Sequence, residues 1–179
     1  MLDIWTRLEA LGPVQYPAEA KAAVLVPLYR DQEGQARVIL TKRPDHMRTH
    51  PGDVVFPGGR LEEGESPEQT AKREACEEIG LPEDGVEVIG GLTPLTTRDP
   101  GNLIVPVVAK VRRPVQFNLQ EEEVAAVIEP TLLDLLDENH WRTSDWFGRA
   151  LWFYEFDEGI MWGATAFMMR EFLRILRDS

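Results

Sequence analysis

Apolar residues follow helical spacing in some parts of the chain and extended spacing in others, which predicts an α/β protein. In the segment from Leu2 to Leu11 they recur on one helix face, and Gly12 and Pro13 end the repeat. Short apolar runs predict strands, and the first two runs are expected to pair as a β-hairpin. The predicted strands cover residues 22–29, 37–41, 54–56, 86–95, 103–111, 124–128 and 152–156.

Three further helices are predicted, at residues 67–79, 131–136 and 162–176. The first has clear end signals, because Ser66 suits the N-cap, Pro67 the first turn, Gln69 a capping box and Gly80 the C-terminal stop. Pro106 lies within a predicted strand and indicates an edge strand or a bulge there. Helices and strands alternate without a repeat or a linker, so residues 1–179 are expected to form a single α/β domain with a mixed sheet flanked by helices.

Composition and charge limit the classes of function. The net charge of -12 argues against nucleic acid as a partner, because such binding depends on basic residues. The lone Cys76 cannot form an intramolecular disulfide, which suits a reducing compartment. The chain has neither a signal-peptide pattern nor a run of about 18 apolar residues, so we expect a cytoplasmic protein that does not enter the membrane.

Acidic residues crowd the second predicted helix, at residues 67–79. Glu74, Glu77 and Glu78 are three or four positions apart, which places them on one helix face, where like charges repel. A hard divalent cation such as Mg²⁺ or Mn²⁺ would relieve that repulsion and leave coordination positions for phosphate. The alternative is a solvated acidic helix face. The flexible Gly58 and Gly59 immediately upstream favour a close-approach metal or phosphate site.

Residues 59–81 resemble the Nudix box, a pattern of Gly, five residues, Glu, seven residues, Arg-Glu, two residues, Glu-Glu, one residue and Gly. All its fixed positions are occupied, by Gly59, Glu65, Arg73, Glu74, Glu77, Glu78 and Gly80. The resemblance implies a Nudix α/β/α sandwich and metal-dependent cleavage of a nucleoside diphosphate linked to another moiety.

The resemblance also implies roles for individual residues. The metal ligands would be Glu74, Glu77 and Glu78, with a contribution from the Gly59 carbonyl. Glu65 would lie behind these ligands or act through water, and Arg73 is expected to pair with Glu65. Two candidates remain for the general base, Glu74 and a carboxylate of the acidic loop 121–123, where we favour Glu123. The alternative for that loop is a plain solvated turn without a role in the reaction.

A basic segment precedes the box. Residues 37–50 contain four basic side chains and one acidic side chain, in a chain whose net charge is -12. Lys42, Arg43, Arg48 and the backbone at Gly58 are therefore candidates for substrate binding, since a substrate with additional phosphates needs local positive charge. The alternative is that Arg43 and Arg48 only balance the acidic helix.

The same segment resembles the signature of coenzyme A pyrophosphatases within the Nudix family. The matching residues are Leu40, Thr41, Arg43, Arg48, Gly52 and the Phe-Pro-Gly-Gly run 56–59, whereas Ile39 and Pro44 depart from the usual residues. Residues 160–166 are also similar to a late Trp-Gly-x-Thr-Ala element of that subgroup.

This second resemblance implies hydrolysis of coenzyme A, and of its acyl thioesters, to 3',5'-ADP and 4'-phosphopantetheine. Two alternatives stay open. One is a Nudix pyrophosphatase that acts on ADP-ribose, NADH or dinucleoside polyphosphates. The other is a non-catalytic Nudix domain that senses a nucleotide, although such a domain is expected to lose box carboxylates. The sequence leaves the oligomeric state, the number of metal ions and the acyl-chain preference undetermined.

Overall fold

The structure, a computed structural model, describes residues 3–97 and 101–179. Its helices are α1 (Ile4–Arg7), α2 (Pro67–Ile79), α3 (Leu132–Leu136) and α4 (Gly163–Asp178). Its strands are β1 (Ala20–Arg30), β2 (Ala36–Val38), β3 (Leu40–Lys42), β4 (Val54–Val55), β5 (Gly58–Arg60), β6 (Val86–Gly91), β7 (Leu95–Thr96), β8 (Leu103–Val111), β9 (Ala126–Ile128), β10 (Trp141–Trp146), β11 (Arg149–Glu155) and β12 (Ile160–Trp162).

The N-terminal helix is present but short. Asp3 caps α1 by accepting a hydrogen bond from the Trp5 amide, and a 3-10 turn at Leu8–Ala10 continues the helix. Of the predicted apolar repeat, Leu8 is buried and Trp5 and Leu11 are partly buried, and Ile4, outside the repeat, is buried beside them. Leu2, the first residue of the predicted repeat, lies outside the described residues.

The largest sheet of the described residues is mixed. Its strands run in the order β2-β1-β8-β6, with β5 beside β1 and β7 beside β8. The central pair, β1 and β8, is parallel, and the remaining pairs are antiparallel. Two three-stranded sheets complete the β-structure, β4-β3-β9 and β10-β11-β12.

Side chains on β1 alternate between two apolar cores, because successive residues of a strand point to opposite faces. Ala23 and Leu25 pack with Ala75 of α2 in one core. Val26 and Leu28 pack with the apolar face of α4 in the other core. The sheet therefore lies between α2 and α4, and the predicted Nudix α/β/α sandwich with a mixed sheet is confirmed.

The expected hairpin is only partly correct. β1 and β2 pair as predicted, from Leu28 opposite Val38 to Arg30 opposite Ala36. The second strand leaves the pair at Ile39 and continues as β3, which pairs with β4 and β9 in another sheet. A continuous apolar run contains no signal for such a change of partner, since every residue in it is buried.

Of the two interpretations of Pro106, the edge strand is wrong, because β8 lies in the interior of the sheet, whereas the ladder beside Pro106 is irregular, since it passes there from β6 to β7. The Pro106 carbonyl accepts a hydrogen bond from the Leu92 amide, just beyond the end of β6 and before β7 begins. The amide hydrogen that proline lacks would face the same side, at the gap between these strands. An interior proline is tolerated there because the neighbouring strand on that side of β8 is interrupted between β6 and β7, whereas β1 continues unbroken on the other side.

Strand β10 was not predicted. Its sequence, Trp-Arg-Thr-Ser-Asp-Trp, has four exposed polar residues in succession, which is typical of a loop. Pairing with β11 from Trp141 opposite Tyr154 to Trp146 opposite Arg149 makes it a strand.

Among the described residues, no helix is long and apolar enough to cross a bilayer.

Candidate active site

Local sequence determines both ends of the acidic helix α2. The Ser66 hydroxyl accepts a hydrogen bond from the Gln69 amide at 3.2 Å, and the Gln69 side chain accepts one from the Ser66 amide at 2.8 Å. Gly80 ends the helix in the left-handed conformation, with φ of 72°. The predicted helix 67–79 is confirmed together with its capping box.

Three carboxylates converge beside α2. Glu74 and Glu78 lie one turn apart on the helix, and Glu123 comes from the loop before β9. One oxygen from each of these side chains lies within 4.8 Å of the other two. Glu78 is buried, at 7% exposure, Glu74 is half-buried and Glu123 is exposed. The cluster therefore has a buried floor and an open rim.

The cluster has an excess of negative charge. Burial, together with the charges of the nearby Glu74 and Glu123, raises the pKa of Glu78 to about 8, although a hydrogen bond from the Gly58 amide and the charge of Arg43 oppose the rise. Burial also raises the pKa of Glu74, despite its contact with Arg73. Oxygen donors that converge without sufficient positive charge form the donor set that a hard divalent cation prefers.

Arg73 lies behind the cluster and joins α2 to the preceding loop. Its guanidinium donates to both oxygens of Glu65, at 2.7 and 3.0 Å, and to Glu74 at 2.9 Å. It also donates to the Arg60 carbonyl at 3.0 Å. The expected pair of Arg73 with Glu65 is thus present. Arg73 fixes the side chain of Glu74 and leaves Glu78 without a basic hydrogen-bonding partner in the described part of the chain.

Glu65 is the most strongly stabilised carboxylate of this region. The hydrogen bonds from Arg73 lower its pKa to about 2 against the opposing effect of burial, and the Thr70 hydroxyl contributes a further bond at 2.6 Å. Thr70 is a residue that the sequence reasoning missed. Thr70 is completely buried. The signal available in the sequence was a polar residue on the buried face of the predicted helix.

Glu77 differs from the other two carboxylates of the box. Its side chain is 51% exposed and pairs with Arg73 at 3.3 Å. It does not belong to the converging group of Glu74, Glu78 and Glu123. The role of Glu77 as the third ligand, which the resemblance implies, stays a prediction.

The two glycines before the box lie in closely packed positions. A Cβ atom on Gly59 would collide with the carboxylate of Glu74, and one on Gly58 would collide with the backbone of β1 at Ala23 and Val24. Gly59 therefore lets the β5 backbone lie directly against a cluster carboxylate. The expected roles of Gly59 as a metal ligand and of Gly58 in substrate binding stay predictions.

The loop that carries Glu123 is attached at both ends. The Asn118 amide donates to the carbonyl of Ile79, in the last turn of α2, at 3.1 Å. Beyond the loop, the Ala125 amide donates to the carbonyl of Lys42 at 2.8 Å. A Cβ atom on Gly80 would lie 2.9 Å from Cβ of Asn118, so the glycine stop of α2 also makes room for this loop.

The basic residues upstream of the box differ in their surroundings. Lys42 lies 3.6 Å from Asp45. Arg43 donates to the main-chain carbonyls of Thr49 and His50. Arg48 is exposed and forms no ion pair with another described residue. Of these three predicted substrate contacts, Arg48 is the one whose side chain is exposed and has neither a hydrogen bond nor an ion pair with the described residues.

Comparison with known proteins agrees with this geometry. Residues 19–150 match the model of the NUDIX domain family. The chain therefore belongs to the Nudix hydrolase family, whose members generally need divalent metal ions such as Mg²⁺ or Mn²⁺.

Two bacterial relatives match most of the chain. A Nudix hydrolase NudL from Enterobacter sp. (strain 638), described as uncharacterized, is 38% identical over 156 residues, which cover 84% of this chain and 80% of the relative. The NudL of Escherichia coli (strain K12 / DH10B), described in the same way, is 35% identical over 178 residues, covering 94% and 91%.

A solved structure of the same fold is that of a Caenorhabditis elegans Ap4A hydrolase in a binary complex. It superimposes with a TM-score of 0.54 at 22% identity, over 65% of this chain and 83% of the other. At that identity the likeness shows the fold alone.

Proposed function

We propose that this Nudix hydrolase cleaves the pyrophosphate of coenzyme A, and of its acyl thioesters, into 3',5'-ADP and 4'-phosphopantetheine. The observation that carries the proposal is a cluster of three carboxylates adjoining the basic segment 37–50. Lys42 links the two, because its carbonyl accepts from Ala125 just beyond the Glu123 loop. A cation site next to basic side chains suits a substrate with a phosphate in addition to the pyrophosphate.

Glu74 and Glu78 would hold Mg²⁺ or Mn²⁺, together with Glu77 and the Gly59 carbonyl as the resemblance implies. When bound, such ions neutralise the pyrophosphate and lower the pKa of a coordinated water. In the reaction, a water oxygen bonds to one phosphorus and the bond from that phosphorus to the bridging oxygen breaks. The bridging oxygen leaves as part of the other phosphate group, and one water proton passes to a carboxylate. Arg73 keeps Glu74 oriented throughout, through the hydrogen bond at 2.9 Å.

The arrangement favours Glu123 over Glu74 as the base. Glu74 is half-buried against Gly59 and engaged by Arg73. Glu123 stands at the open rim of the cluster, where a water molecule can approach. A base must lie within hydrogen-bond reach of the proton that it accepts, and an exposed carboxylate next to the ligands meets that condition.

A substrate panel tests the proposed function. Coenzyme A, acetyl-CoA, 3'-dephospho-CoA, ADP-ribose, NADH and a dinucleoside tetraphosphate are each incubated with Mg²⁺, with Mn²⁺ and with chelator, and the products are identified by mass spectrometry. We expect 3',5'-ADP and 4'-phosphopantetheine from coenzyme A, and no products in chelator. Hydrolysis of ADP-ribose without hydrolysis of coenzyme A would overturn the substrate and support the first alternative.

A nucleotide-sensing domain is the alternative from another class. It would bind a member of the panel without producing any product at either metal. The presence of Glu74, Glu77 and Glu78 together favours the enzyme. Glu78 in particular is buried, at 7% exposure, and a sensor that binds no metal would gain nothing from a carboxylate there.

A further inference from the structure

The loop between β3 and β4, residues 44–53, is held together by the residue that precedes it. The main-chain amide of Arg43 donates to the Asp53 carbonyl at 2.9 Å and closes the two ends of the loop. The Arg43 side chain then reaches into the loop, where Nη2 donates to the Thr49 carbonyl at 3.0 Å and Nε to the His50 carbonyl at 3.2 Å. Nη2 also donates to the Thr49 hydroxyl at 3.4 Å, so the guanidinium holds both the backbone and a side chain of the loop.

These two carbonyls lie where the backbone takes an unusual turn. His50 has φ of 51°, a left-handed conformation that non-glycine residues rarely adopt. Such a conformation is unfavourable for a residue with a Cβ atom and persists only where the surroundings hold it. The guanidinium of Arg43, together with the contact of 3.2 Å between His50 Nδ1 and Asp53 Oδ2, provides that support.

The same turn joins the loop to the C-terminal part of the chain. The ring centroids of His50 and Trp162 are 5.8 Å apart. A Cβ atom on Gly159 would lie 2.6 Å from the Gly52 carbonyl oxygen, so the turn before β12 packs tightly on the loop. The two separate segments that resemble coenzyme A pyrophosphatases, before the box and at residues 160–166, therefore meet at His50 and Trp162.

We propose that Arg43 is a positioning residue, which builds the turn at Thr49 and His50 and thereby presents Arg48 to a substrate phosphate. The proposal rests on the proposed function, because it assigns Arg43 an indirect part in the same site. Arg48 immediately precedes Thr49, whose carbonyl Arg43 holds, and it is the exposed cation of the loop. In this proposal the guanidinium of Arg48 contacts the substrate phosphate. The planar guanidinium of Arg43 fixes the position of the loop backbone that carries Arg48.

The test is to replace Arg43 by Lys, which keeps the charge but loses the fork that binds two carbonyls at once. Arg48→Lys is the matched variant within the loop, and Arg112→Lys, whose partner Asp84 lies on the exposed surface, is the control outside it. For each variant, KM and kcat are measured with the substrate that the panel identifies. Hydrogen exchange of residues 44–53 is measured in the metal-free protein.

For Arg43→Lys we expect KM to rise about tenfold with kcat within about threefold, and faster exchange at the Met47, Gly52 and Asp53 amides, which bond within the loop. Arg48→Lys and Arg112→Lys should leave the exchange unchanged. An unchanged KM in Arg43→Lys would overturn the proposal. A raised KM with unchanged exchange would also overturn it, because Arg43 would then contact the substrate directly.

The exchange measurement needs no substrate, so it separates this proposal from the proposed function. If only ADP-ribose is hydrolysed, the coenzyme A proposal fails, and the KM comparison is made with ADP-ribose. If nothing is hydrolysed, the enzymatic proposal fails, and with it the presentation of Arg48. Faster exchange in Arg43→Lys would then still show that Arg43 builds the loop.

Discussion

The backbone carbonyl of Glu78 accepts a hydrogen bond of 2.9 Å from the amide of Gln120. The residue whose carboxylate forms the floor of the cluster is thus also an anchor for the loop that brings Glu123 to the rim. The next anchor, Asn118 on Ile79, follows along the helix. Because both anchors are main-chain groups, side-chain substitutions in the cluster should change its chemistry without moving the loop.

We predict that Glu78→Gln lowers kcat/KM at least ~100-fold, because a ligand oxygen is lost from the buried floor. The fold should persist, since glutamine has nearly the same shape and the bond from Gln120 goes to the backbone. Steady-state kinetics with Mg²⁺ and a thermal melt in chelator check both expectations. Full activity in a correctly folded variant would contradict the assignment of Glu78 as a ligand.

We predict that Glu123→Gln lowers kcat about 100-fold or more, as expected for loss of a general base. Its affinity for Mn²⁺ should fall less than the affinity of the Glu78→Gln variant does. The reason is the position of Glu123 at the exposed rim of the cluster. Glu122→Gln is the matched control in the same exposed loop. Equal losses in kcat for the two variants would show that Glu123 has no special role and would favour Glu74 as the base.

Gly59→Ala should reduce activity more than tenfold, because the added Cβ atom displaces the Glu74 carboxylate from the cluster. Gly12→Ala is the control, since a Cβ atom there has no neighbour within 4 Å. That control should change unfolding free energy by less than about 0.5 kcal/mol and leave activity unaffected. Kinetics and urea unfolding of both variants provide the measurement.

Glu65→Gln should destabilise the metal-free protein by about 1–3 kcal/mol at pH 7, because the bonds from Arg73 and Thr70 lose their charge assistance. The folded pKa of Glu65, about 2, lies below its ordinary value of 4.5, so its contribution is present above pH 4.5 and is lost as the pH falls toward 2. The stability difference between wild type and Glu65→Gln should narrow over that range.

Urea unfolding in chelator at pH 7, 4.5 and 3 measures this difference. Exposed Glu158→Gln serves as the control for general acid effects and should show little difference at any pH. A gap between wild type and Glu65→Gln that stays constant down to pH 3 would mean that the Glu65 carboxylate is not held ionised by Arg73.

Helix α2 could be predicted from the sequence because its determinants are local. Ser66, Gln69 and Gly80 act on backbone groups within a few residues, so neither end depends on the rest of the fold. The spacing of Glu74 and Glu78 on one face follows directly once the helix is placed. Strand β10 depends instead on pairing with β11, and local sequence carries no sign of it.

The candidate site was likewise predictable where its contacts are local in the sequence, and not where they depend on distant segments. The pairing of Arg73 with Glu65 follows from the box pattern and is present. That Glu123 lies within 4.8 Å of the helix carboxylates depends on loop anchors at the end of α2, which sequence spacing does not reveal. The sequence also does not reveal that Arg43 donates to the Thr49 and His50 carbonyls. A basic residue within a basic segment predicts a contact with the substrate instead.

The departure of the chain from the first sheet at Ile39 has a consequence for how this protein can change in length. Val38 and Leu40 are fully buried in the core beneath α4, whereas Ile39, between them, is fully buried in the core beneath α2. All three successive positions are therefore occupied by packing, and none faces water. A one-residue insertion or deletion here would exchange the side chains between the two cores, so we expect length variation on this side of the chain in the turn 31–35 and not within residues 38–40.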